Sequence, residues 1–246
     1  MNEQAALIEL QDIKAQKKLS AIEIYSLKIY RGVFYQLLGE NSSGKTLLLE
    51  IISHDTAPDS GVILFENKSN VNKEYRPQSV QERVSFLRQK NHFWKPGTVI
   101  SYLQKAAAHG QKSPGIAYQE AMDLLETMRL KEIAELKRSK LTPGLFKKVE
   151  LLKVYLENCD LILLDEPFAG VDDNFSKYYC TLLKEKVKNE KKTVVLASAI
   201  SQVRFRMVDV ILQIHNGHIR KVEKPQYIQR RQQQGNRRPA PRPKKS

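Results

Sequence analysis

Cysteine is scarce: the 246 residues hold two, Cys159 and Cys180. Two lone cysteines cannot build a disulfide framework, and neither sits in a CxxC or His/Cys spacing suited to a metal. No apolar run approaches the length needed to cross a bilayer; the longest, such as Leu161-Ile162-Leu163-Leu164, are strand-sized. The opening MNEQAALIEL has no charged region followed by an apolar stretch, so no secretory signal is expected. Membrane span, secreted knot and zinc module are excluded on these grounds, and a cytosolic chain is expected. Acidic residues are also in short supply, 27 against 41 basic, giving a net charge of +14. What remains is ordinary folding material, 41% apolar and 28% charged. A chain of this length suits one large domain, or one domain with a subdomain.

The order of patterns along the chain is β-rich, then helical, then alternating. Leu7-Ile8-Glu9-Leu10 and Ile22-Glu23-Ile24 read as short strands. Gly32 opens an apolar strand, Val33 to Leu38, that runs into a glycine-bounded loop and then a helix over Thr46 to Ile52. Ser60-Gly61 turns the chain into a strand over Val62 to Phe65, and Glu66 to Gln78 has no periodicity and reads as a surface loop. Ala121, Leu124, Leu125 and Met128 fall at helical spacing after Pro114-Gly115, as do Val149, Leu152 and Leu156 after Pro143-Gly144. From Leu161 onward strands at 161–164, 193–197 and 210–214 alternate with a helix around Tyr178 to Asn189. An α/β nucleotide-binding core carrying an inserted helical subdomain is the architecture that fits.

Gly39-Glu40-Asn41-Ser42-Ser43-Gly44-Lys45-Thr46 satisfies GxxxxGK[ST], with a buried strand before it and a helix after it. Glycines allow backbone N–H groups to converge on phosphate oxygens, and the helix N-terminus adds partial positive charge. Lys45 is placed to bridge the β- and γ-phosphates of a nucleotide, and the Thr46 hydroxyl to ligate Mg²⁺. Farther on, Leu161 to Leu164 is an apolar strand ending in Asp165-Glu166-Pro167. Asp165 is the candidate to hold Mg²⁺ through water, and Glu166 to orient or deprotonate an attacking water.

At this point the chain resembles the ATP-binding cassette family, the nucleotide-binding subunits of ABC transporters. The resemblance spans about residues 5 to 228. It implies a P-loop NTPase core, a mixed sheet with an N-terminal antiparallel β subdomain, and an inserted α-helical subdomain at about 90–157. Residues 1–228 would then form one ATP-binding domain. Ala169-Gly170-Val171-Asp172 stands where that family keeps its D-loop, and Gln89 where its Q-loop glutamine contacts Mg²⁺. Leu141-Thr142-Pro143-Gly144-Leu145 occupies the signature position, so Thr142 and Gly144 are implied nucleotide contacts, as is Asp172. ATP and Mg²⁺ are the implied ligands. A second cassette, as homodimer or heterodimer, and a transmembrane permease are the implied partners, with the chain peripheral on the cytoplasmic face of the membrane.

Three departures from the family pattern bear on turnover. The signature, usually LSGGQ, is LTPGL here; Pro143 removes a backbone N–H and fixes φ, and Leu145 replaces an amide. Each lost charge-assisted hydrogen bond is worth on the order of 1.5–3 kcal/mol. The family's switch histidine aligns with Ala199, whose methyl neither hydrogen-bonds nor handles a proton. The aromatic that stacks on adenine belongs near Gln16 or Lys17, and neither is aromatic, while Tyr25 and Tyr30 read as strand positions. ATP binding with slow hydrolysis is the expectation. A nucleotide-gated structural clamp with little turnover, and a soluble cassette ATPase acting on nucleic acid, are the alternatives.

Seven of the 41 basic residues lie in 229–246, a segment without acids and with Ala240 as its sole apolar residue. This tail is expected to be disordered and drawn to anionic lipid; nucleic acid is the less favoured partner, because no aromatics interleave with the cations from Arg230 onward. His92, beside Phe93-Trp94, fits a surface meeting the transmembrane partner or an ordinary loop equally well. His54, His109, His215 and His218 read as structural.

Overall fold

The computed structural model describes residues 6–18, 20–66, 68–69, 83–89, 96–109, 112–199 and 207–222. In chain order its strands are β1 (Ala6–Lys17), β2 (Ser20–Tyr30), β3 (Phe34–Leu38), β4 (Ser60–Phe65), β5 (Lys68–Ser69) and β6 (Val84–Leu87). They continue with β7 (Leu161–Asp165), β8 (Thr193–Ser198), β9 (Val210–His215) and β10 (His218–Val222). The helices are α1 (Lys45–Ile52), α2 (Val99–Ala107), α3 (Pro114–Thr127), α4 (Pro143–Leu156) and α5 (Asp173–Glu190).

Two burial patterns separate two sheets. β2 and the second half of β1 alternate buried and exposed residues, as strands with one wet face do. They belong to a four-stranded antiparallel sheet of order β2-β1-β4-β5. β3, β7 and β8 are instead buried at every position, the pattern of a sheet covered on both faces. The second sheet has six strands in the order β10-β9-β3-β8-β7-β6, parallel from β9 to β6. Asn216-Gly217, both at positive φ, turns β9 back into antiparallel β10.

Alternation along the central strands feeds two cores. Leu161, Leu163, Val195 and Ala197 pack with α1 and the antiparallel sheet. Ile162, Leu164, Val194 and Leu196 face the opposite core, built with α2 to α5. Tyr179 of α5 is fully buried there, donates its hydroxyl to Leu151 O of α4 at 2.7 Å and stacks on Phe175.

Several sequence expectations shift in extent. The helix expected around Tyr178 begins at Asp173, where Asp172 caps it by accepting from Phe175 N at 2.9 Å. The stretch expected to be loop from Glu66 contains β5. α3 and α4 start at Pro114 and Pro143 themselves, each proline at a first helical position behind a serine or threonine cap. The basic tail 229–246 and His92-Phe93-Trp94 lie outside the described residues.

Candidate active site

The strand order puts the carboxyl ends of β3 and β7 on either side of β8, at the edge of a parallel sheet where such folds bind ligands. Beyond β3 the chain must turn tightly. Ser42 adopts a φ of 63° and Gly44 a φ of 104°, and a Cβ on Gly44 would stand 2.5 Å from the Ile22 side chain of β2. A Cβ on Gly39 would lie 2.4 Å from Ser43 Oγ and 2.7 Å from the Ile214 carbonyl. These two glycines permit a turn that a side chain would block.

The turn folds Lys45 back over its own loop. Its side chain is 6% exposed, and its ammonium donates to Gly39 O at 2.8 Å and Glu40 O at 2.9 Å. It stands 3.7 Å from Glu166 Oε1. Next to it, Thr46 Oγ1 donates to Asp165 Oδ2 at 2.7 Å. Burial raises the Asp165 pKa, with the Thr46 hydrogen bond and the Lys45 and Lys147 charges opposing it and the Glu166 charge adding to it. Glu166 sits at a φ of 42°, its backbone N donating to Ala197 O of β8 at 3.0 Å. That left-handed residue turns the chain away immediately after the carboxylate pair.

The polar atoms here outnumber their protein partners. Ser43 Oγ, Asp165 Oδ1 and Glu166 Oε1 are all buried without a hydrogen-bond partner. Orphaned atoms of this kind carry a desolvation cost unless a ligand or solvent meets them. Two carboxylates and a hydroxyl beside a buried ammonium suit a magnesium-bound polyphosphate. Among the described residues no cluster of three or more His, Cys, Asp or Glu could hold a metal alone, so phosphate oxygens would complete the shell.

Gln89 stands exposed beyond the end of β6 and lines, with Ser42 and Thr46, a groove of about 1080 Å³. Asn41 and Glu40 form the exposed outer arc of the loop. The sequence-predicted residues Thr142, Gly144 and Asp172 gather at a second place. Thr142 Oγ1 accepts from Leu145 N at 3.3 Å, capping α4. A Cβ on Gly144 would lie 3.1 Å from Gly170 O, so the first turn of α4 rests on the loop before α5. Lys148 of α4 and Asp172 join them with a 2.6 Å ion pair, and that pair and the cap hold the Asp172 carboxyl below its ordinary pKa. Ala199 follows β8 directly, half-buried.

Sequence reasoning missed Lys147 and Lys148. Lys147 is half-buried on α4; burial lowers its pKa against the pull of Asp165, Glu150 and Glu166. The available signal was a pair of cations one turn into the helix that leads to the acidic strand end.

The family model described as ABC transporter matches residues 22–169, from β2 through Glu166 into the following turn. The chain belongs to the ABC transporter family. It is an ABC-type ATP-binding subunit and an ATPase, and the transport reading is favoured over the clamp and nucleic-acid alternatives. The lipoprotein-releasing system ATP-binding protein LolD of Ehrlichia chaffeensis is 29% identical over 79% of this chain and 85% of its own. The ABC transporter ATP-binding protein NatA of Bacillus subtilis is 25% identical over 83% and 82%. Among solved structures, a dimeric ATP-binding cassette in a post-hydrolysis state bound to ADP and Pi superposes with a TM-score of 0.76 at 20% identity, over 89% of this chain and 99% of that one. The cbiO1 subunit of the cbiONQ transporter from Clostridium perfringens gives 0.73 at 20%, over 93% and 92%. These likenesses give the same fold class as the sequence. ABC cassettes bind ATP, dimerise and work with transmembrane permeases. Among the described residues no helix is long and apolar enough to cross a membrane.

Proposed function

We propose that this subunit binds ATP with Mg²⁺ at the Lys45–Thr46–Asp165–Glu166 cluster and hydrolyses it slowly, at the cytoplasmic face of the membrane, to drive a separate permease. The observation that carries the reading is the buried ammonium and two orphaned carboxylate oxygens brought together across β8. Lys45 would hold the β- and γ-phosphates, while residues 39–44 present backbone donors to them. Thr46, Gln89 and Asp165 would hold Mg²⁺, which when bound neutralises phosphate charge. Glu166 Oε1, buried and without a hydrogen-bond partner, would accept the proton of the attacking water.

A second cassette would pair head to tail, so that Thr142, Gly144 and Asp172 of one copy face the phosphate loop of the other. Little donor capacity remains in that signature loop. Pro143 has no N–H, Leu145 N is given to Thr142 Oγ1 at 3.3 Å and Phe146 N to Thr142 O at 2.8 Å. Gly144 keeps its N–H and Thr142 its hydroxyl proton, and Ala199 adds no hydrogen bond. These losses support slow turnover. Residues 1–228 would form the ATP-binding domain, with the helices between β6 and β7 as its helical subdomain. The tail 229–246 would add attraction to anionic lipid.

The test is phosphate release by the purified chain with Mg²⁺. Slow release that disappears in Glu166→Gln while ATP stays bound is expected. A rate unaffected by that substitution removes Glu166 from the reaction.

A further inference from the structure

One buried polar side chain lies behind the phosphate loop, in a row that is otherwise apolar. Gln36 is the middle residue of β3 and is 1% exposed. By alternation its side chain shares a face with Phe34 and Leu38, and its neighbours across the sheet are Leu196 of β8 and Ile211 of β9. All four belong to the core on the helical side. An apolar side chain would fill this position without desolvating an amide, so packing alone does not account for glutamine.

The amide is only half matched. Its Nε2 donates to Ser198 Oγ at 3.1 Å, while its Oε1 is buried without a hydrogen-bond partner. An unmatched buried acceptor carries its full desolvation cost, which offsets what the single bond contributes to stability. The bond does, however, join two strand ends that serve the site. Ser198, 2% exposed, is the last residue of β8 and pairs with Leu38, the last residue of β3 before Gly39. On the other side of β8, Asp165 pairs with Ala197, and Glu166 N donates to Ala197 O at 3.0 Å. Glu166 therefore hangs on the carbonyl next to Ser198, and Gln36 ties that strand end to the strand that delivers the phosphate loop.

We infer that Gln36 is a positioning residue for turnover: through Ser198 it fixes the end of β8, and with it the placement of Glu166 against the phosphate loop. This rests on the reading of Glu166 above as the acceptor of the water's proton. A small displacement of a reacting group slows chemistry without loosening a ligand held by other residues, so the bond acts on kcat and not on ATP affinity.

The experiment compares the full-length parent with Gln36→Met, Ser198→Ala and the double variant, by phosphate release with Mg²⁺ at saturating ATP, ATP titration and thermal melting. Either single change leaves a buried polar group unpaired and should lower the melting temperature. The double change removes both groups and should bring it back to within about 2 °C of the parent, or above it. Phosphate release should not recover with it. All three variants are expected to lose about fivefold in kcat, the scale of one neutral hydrogen bond, with the double no slower than the singles because each lacks the same bond. ATP affinity should stay within about twofold of the parent throughout. A double variant with the parent's kcat overturns the inference and leaves the role of Glu166 standing. So does a kcat that follows the melting temperature through the series, the mark of a bond that serves the fold alone, and so does a loss confined to ATP affinity. Parent release that is absent, or that Glu166→Gln leaves unchanged, removes the Glu166 reading and the inference with it.

Discussion

Replacing Pro143 with glycine tests whether the signature loop limits turnover, and its two opposing effects can be sized. Proline occupies the first turn of α4, where the missing N–H breaks no intrahelical bond and the fixed φ suits the helix. Glycine there returns one N–H donor at the end of the helix that would face a partner's nucleotide. A hydrogen bond to a charged group is worth about 1.5–3 kcal/mol. Against this, glycine costs about 1 kcal/mol in backbone entropy when the loop is ordered. The net gain of about 0.5–2 kcal/mol corresponds to roughly a 2- to 30-fold rise in phosphate release. The same entropy should lower the melting temperature by about 2–4 °C, because the Thr142 cap on Leu145 N is retained but the pre-set φ is lost. Phosphate release and thermal melting are measured on the same preparation, at protein concentrations high enough for dimers. A lower melting temperature with no change in rate refutes the reasoning: the loop would then be a helix start that no nucleotide meets during turnover.

Lys45→Ala should weaken ATP at least about tenfold by titration, since phosphate oxygens would face backbone donors alone; equal affinity removes the phosphate-loop assignment. Ala199→His should raise the slow rate of phosphate release if the γ-phosphate contact is limiting; in a homodimer it and Pro143→Gly would meet the same nucleotide, so the double variant should depart from the sum of the two. Asp172→Ala removes both the cap on Phe175 N and the pair with Lys148, and should lower the melting temperature by about 2–4 °C in a thermal melt. Glu66 binds Arg83 through both carboxylate oxygens, which, with Arg31, lowers its pKa from 4.5 to about 2. Its stabilisation is therefore complete above pH 4.5 and is lost as pH falls toward 2, so the melting-temperature gap between parent and Glu66→Gln should narrow over that interval.

The phosphate loop and the acidic strand end were legible because their chemistry is local. Eight consecutive residues set the turn that returns Lys45 to Gly39 O, and apolar Leu161 to Leu164 announces a strand buried on both faces. Their meeting was legible through the motif pair alone, since nothing in either segment states that β8 lies between them. Strands β6 and β10 escaped notice for a different reason. β6 has four residues and β10 five, and their neighbours across the sheet decide their state more than their own composition does. Helix α2 was missed although Thr98 caps it through Ser101 N, because nine residues carry little periodic signal. The Lys148–Asp172 pair joins residues 24 positions apart on two helices, a distance at which charge pattern says nothing. Pro143 looked like a pure loss for phosphate contact; in the fold it is also a well-placed helix start.

The packing of Gly144 on Gly170, with Lys148 clamped to Asp172, has a consequence for mixed assemblies. It would let the proposed signature loop and D-loop face a partner together, while Ala199, next after the Ser198 that pairs with Leu38, stays beside the copy's own phosphate loop. In a head-to-tail pair with a cassette of the usual pattern, the two departures would part company. The pocket closed over this chain's Lys45 would meet an intact signature and lack the histidine; the other would keep its histidine and meet LTPGL. Such a pair would run two unequal engines, each impaired by a different missing part, whereas a homodimer concentrates both defects at every site.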